Sequence, residues 1–112
     1  MTGVDYIVYT QQNQEAFIQK MKDTLPFWDS PHYVIDNEDA TTDIFVTKSE
    51  AMFQQMEEKG FYTVPGSGEG PFLVMFNSHY SPEHNRITVV LPKAVQHSEF
   101  AQKVLTWIQS IL

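Results

Sequence analysis

Two almost unbroken apolar runs, residues 72–76 (FLVMF) and 87–91 (ITVVL), constrain this chain more than any other feature. A strand with one wet face alternates apolar and polar residues, whereas a strand covered on both faces is apolar nearly throughout. These two segments are therefore expected at the centre of a sheet, with cover above and below. A chain of 112 residues has to supply that cover from a single core.

The flanking segments carry the patterns from which such cover is made. Residues 4–9 are rich in β-branched and aromatic side chains and read as a strand, with Thr10 expected to cap a helix reaching about Thr24. In that helix Phe17, Met21 and Leu25 recur at intervals of four with Ile18 beside them, and Pro26 stops the pattern. Residues 33–35 and 44–46, joined by the acidic turn 36–40, read as a hairpin. Thr47 and Glu50 fit a capping box for a second helix that carries Met52, Phe53 and Met56 inward and ends at Gly60. Residues 61–64 are expected as a strand, followed by a loop in which Gly66, Gly68 and Gly70 lie between Pro65 and Pro71. The last helix, over about 98–111, repeats Phe100, Val104, Leu105, Ile108 and Ile111 at helical spacing and should dock by that stripe. Trp107 falls beside the stripe, so it reads either as a partly buried residue or as an exposed anchor.

The expected architecture is α+β, a single domain over residues 1–112 with a mixed sheet of about five strands and three helices, ferredoxin-like or related. The first two helices are expected on one face. The unbroken apolar strands point to the last helix covering the other, which makes three layers instead of two. Residues 15–21 (EAFIQKM) and 50–56 (EAMFQQM) are alike, each after a short apolar strand, which raises the question of a duplicated strand–helix unit.

Composition excludes several functions. Without cysteine there are no disulfides, thiolate metal ligands or cysteine nucleophiles, and a reducing cytoplasm is the expected location. No basic n-region precedes a long apolar run, so neither a signal peptide nor a membrane association is expected. The net charge of −7 is one-sided: eleven acids oppose four lysines through Gly60, whereas three acids balance three basic residues after it. Direct nucleic-acid binding needs clustered Lys and Arg and is not expected. A basic protein surface is the partner that such charge admits.

No segment reproduces a catalytic or cofactor motif, and no cofactor is expected. His79, Glu83 and His84 are weak candidates for a metal, because Pro82 forbids the regular helix on which paired histidine ligands usually sit. The glycine loop 66–70 runs into Pro71 and a strand, whereas a phosphate-cradling loop carries Lys and Ser or Thr and opens a helix. Asp36, Glu38, Asp39 and Asp43 crowd into eight residues without the spacing of a calcium loop. They are read as a partner-binding patch, with Phe27, Trp28 and Tyr33 as neighbouring aromatic anchors. The leading expectation is a small non-enzymatic interaction or regulatory module, such as an inhibitor, using this acidic face. One alternative is a small-ligand or metal-dependent enzyme with loops 65–71 and 77–85 at its site, and another is a phage or plasmid structural subunit.

Overall fold

The computed structural model describes residues 3–24, 32–38, 41–47, 49–60, 70–78, 81–92 and 97–112. In chain order these form β1 (Gly3–Thr10), α1 (Gln14–Thr24), β2 (His32–Glu38), β3 (Thr41–Thr47), α2 (Glu50–Lys59), β4 (Phe72–Asn77), β5 (Asn85–Pro92) and α3 (Glu99–Ser110). The strand expected over 61–64 and the glycines at 66 and 68 lie outside the described residues. No described helix is long and apolar enough to cross a membrane.

The strands form one sheet in the order β1-β5-β4-β3-β2, with every neighbouring pair antiparallel. The expected mixed sheet is thereby corrected to an antiparallel one. The reason lies in the connections. From β2 to β5 each strand is laid antiparallel beside the one before it, a meander. The only helix joining strands of like direction is α1, and it sends β1 and β2 to opposite edges, where they never pair. Three strands separate β1 from β2, wider than the split β-α-β spacing of a ferredoxin-like layout.

The apolar runs are interior, as their composition requires. On β4 the side chains of Phe72, Leu73, Val74 and Phe76 are all buried, and on β5 so are those of Ile87, Val89, Val90 and Leu91. Successive residues serve opposite faces. On one face the register aligns Tyr6, Val89, Val74 and Ile44 in one row and Val8, Ile87, Phe76 and Thr42 in the next. This face meets both α1, through Phe17 and Met21, and α3, through Phe100, Ala101, Val104, Trp107 and Ile108. Phe17 meets Phe76 with ring centres 5.5 Å apart and the planes tilted by 36°. Phe72 meets Phe100 and Trp107 edge-on, each at 6.1 Å.

The opposite face carries a much smaller cluster in which Met56 of α2 covers Leu73 and Val90, with Phe45, Met52 and Met75 partly buried around it. There α2 packs over β2 and β3. Among the described residues the three layers are thus α1 with α3, the sheet, and α2, which corrects the expected pairing of the first two helices. The width of each apolar stripe accounts for this. Five residues of α3 and two of α1 are buried against the larger core, whereas α2 buries only Met56.

Polar contacts fasten the α1/α3 layer. Trp107 Nε1 donates to Thr24 Oγ1 at 2.9 Å, so the indole belongs to the core and not to an exposed anchor. Thr10 Oγ1 donates to the Leu112 carbonyl at 3.1 Å, and the Gln12 amide donates to the carbonyls of Ile111 and Leu112, both at 2.6 Å. Thr10 is therefore not the cap of α1. It is still paired with Asn85 in the sheet, and Asn13 caps the helix, its Oδ1 accepting from Ala16 N at 2.8 Å. The cap of α2 shifts likewise: Thr47 remains in β3, and Ser49 Oγ accepts from Met52 N at 3.3 Å. Gly60 ends α2 at φ +95°, with its N–H donating to the Met56 carbonyl.

Candidate interaction surface

The β2–β3 hairpin brings the acidic residues together by register. Asp36 stands directly opposite Asp43 and Glu38 opposite Thr41, so two aspartates seven positions apart in sequence become partners in the ladder. Directly opposed residues of an antiparallel pair have Cβ atoms about 4.5–5.5 Å apart, and like charges at that separation destabilise the sheet. Asp43 is half-buried, and its Oδ1 is shielded from solvent. It occupies the row of Met75 and Thr88, at the margin of the small cluster beneath α2. Burial strengthens the field of a charge, so this carboxylate acts on its surroundings more strongly than one on an open loop.

The other proposed contact residues divide. Tyr33 lies opposite Val46, in the row that continues to Phe72. That row is three positions from the row of Asp36 and Asp43, an odd number, so the register separates Tyr33 from the acidic pair. Asp39, Phe27 and Trp28 lie outside the described residues.

The histidine segment forms a small turn. Ser81 N donates to the His84 carbonyl, and Ser81 Oγ accepts from His84 N, both at 3.1 Å. Glu83 is exposed, and His79 lies outside the described residues. Among the described residues no group of three His, Asp or Glu could hold a metal ion. The loops assigned to the enzymatic alternative flank β4 at its two ends, Gly70 and cis-Pro71 before it and Ser78 after it. Six residues of strand span about 20 Å, so the described parts of these loops do not converge.

A further surface was not singled out by its sequence. On β1, Ile7 and Tyr9 are 52% and 48% exposed, although residues 4–9 look as apolar as an interior strand. The signal was the alternation itself. Asp5, Ile7 and Tyr9 share one parity and are exposed, whereas Tyr6, Val8 and Thr10 share the other and turn toward the core.

No protein-family model matches this chain, and neither the curated proteins nor the solved structures contain a match to it.

Proposed function

We propose that this chain is a non-enzymatic interaction module of regulatory or inhibitory type, whose β2–β3 hairpin docks on a basic protein surface. The observation that carries this reading is the register that opposes Asp36 to Asp43, with Glu38 two residues nearer the turn. Asp36, Glu38 and Asp43 concentrate acidic residues on one hairpin, and a lysine- or arginine-rich surface is the complementary partner for such charge. Complementary charge of this kind mainly sets the speed and selectivity of encounter. The affinity should therefore fall as salt rises.

The test is a titration of the ¹⁵N-labelled protein with a lysine-rich peptide, followed residue by residue by NMR. The largest shifts are expected at residues 36–43, and the variant Asp36→Lys/Glu38→Lys should abolish them. Shifts spread equally over the acids of α2, Glu57 and Glu58, would mean that the hairpin has no special role.

A further inference from the structure

We infer that the open edge of β1 is a self-association surface, where β1 of a second copy adds antiparallel to continue the sheet. This inference is independent of the acidic hairpin, which lies at the other edge. Among the described residues β1 is paired on one side only, by β5. Every second residue of an edge strand turns its N–H and C=O away from the sheet, a ready template for another strand.

Proteins usually blunt such an edge with lysine, proline, a bulge or a short strand. β1 has none of these. It is eight residues long, it holds one charged residue, Asp5, and neither lysine nor proline, and its register with β5 runs unbroken from Gly3 to Thr10. It also exposes Ile7 and Tyr9.

The choice of a second copy follows from self-complementarity and from charge. A two-fold axis through Ile7 sets Ile7 against Ile7 of the second copy, Tyr6 against Val8, and Asp5 against Tyr9. Apolar residues then meet apolar ones, and the carboxylate meets a phenol. A shift of the axis to Tyr6 instead sets Asp5 against Ile7, which strands a charge on an apolar side chain. The acids of the hairpin occupy β2 and β3, and β2 is four strand spacings from β1, about 19 Å. Pairing through β1 thus keeps the two acidic hairpins at opposite ends of the combined sheet, about 40 Å apart and several Debye lengths removed. Pairing through β2 would bring Asp36 and Glu38 of both copies together. The isologous contact at β1 is the one that the net charge of −7 permits at least cost.

The absence of native cysteine makes a register-specific test clean. Light scattering at tens of micromolar should give twice the chain mass of 12.9 kDa. Ile7→Lys, at a half-exposed position, should fold with an unchanged circular dichroism spectrum and weaken the dimer at least about tenfold. Mild oxidation should cross-link Ile7→Cys efficiently. Asp5→Cys should not cross-link, since its two thiols are separated by four residues of strand, about 14 Å. Asp36→Lys should leave the dimer intact. A wild-type mass of one chain across this range overturns the inference, even if an extended peptide binds the edge instead. A dimer that survives Ile7→Lys, or that fails to cross-link through Ile7→Cys, overturns it too.

Discussion

Replacing Phe72 by leucine tests the division of the core into a large and a small side. Phe72 is fully buried and makes two edge-on ring contacts, with Phe100 and Trp107. Each such pair contributes about 0.5–1.5 kcal/mol beyond the area it buries, so their loss removes about 1–3 kcal/mol. The carbon atoms missing from leucine leave a partly relaxed void worth about 1 kcal/mol more. The total is about 2–4 kcal/mol, against a stability of about 6–17 kcal/mol for a chain of this length. The variant therefore folds and reports a measurable loss. At about 4 °C per kcal/mol the midpoint should fall by about 8–16 °C. Phe45→Leu is the matched control, since Phe45 is only partly buried and belongs to the small cluster under α2; it should cost less than about 1.5 kcal/mol. Urea and thermal unfolding followed by circular dichroism measure both. Equal losses at the two positions, or a Phe72→Leu loss under about 1 kcal/mol, would refute the assignment of the main core to the α1/α3 side.

Three further outcomes follow from the polar contacts and the backbone. A double-mutant cycle of Trp107→Phe and Thr24→Ala should return a coupling of about 0.5–1.5 kcal/mol for the indole–hydroxyl bond; zero coupling in urea melts would mean that the two helices are not tied there. Ser49→Ala should cost about 1 kcal/mol through loss of the α2 cap, whereas Glu50→Ala should cost under about 0.5 kcal/mol because Glu50 is exposed in the first turn and forms no capping box with Thr47; the reverse ranking would restore the box. Gly60→Ala meets no atom within 4 Å of the new Cβ, so its expected cost of about 1–3 kcal/mol is purely the backbone strain at φ +95°, and a neutral result by chemical denaturation would show that the chain relaxes there.

Position within the sheet was legible where the residues left one choice. Leu73 and Val74 are both buried although they serve opposite faces, so a run without polar breaks could only be interior. The hairpin was legible because an acidic turn separated two short apolar runs. Side was not legible, since all three helices carry an apolar stripe and nothing in a stripe names the face it will meet. The breadth of the α3 stripe, from Phe100 to Ile108, did indicate the largest buried area. Caps were misplaced by two or three residues for a plain reason. Thr10 and Thr47 look like caps, but the strands β1 and β3 hold them through ladder pairing, and the next suitable residues, Asn13 and Ser49, take the role.

The acidic hairpin was legible only as a cluster in sequence. Its geometry came from the register. Asp36 could have faced Thr42 or Ile44 after a slip of one residue, but β3 is held in register by β4, so such a slip would turn every residue of β2 to the other face of the sheet.

The likeness of residues 15–21 to 50–56 has to be weighed against where the helices lie. Phe17 and Met21 are buried in the core they share with α3, while their counterparts Met52 and Met56 cover the opposite face, with Met52 only half-buried. The connections differ as well. α1 joins strands of like direction at opposite edges of the sheet, whereas α2 lies between β3 and β4, which are neighbours of opposite direction. A duplicated strand–helix unit would place equivalent residues in equivalent packing, and these two segments do not. What they share is the physical demand on any short helix against a sheet: an apolar residue at each turn and soluble glutamine or glutamate between. The result is an asymmetric sheet, with a broad core on one face, a small cluster on the other and acids toward one edge; among the described residues its exposed large apolar side chains, Ile7 and Tyr9, lie on β1 at the other edge. That edge lies far enough from the hairpin acids for two copies to meet there without their repulsion.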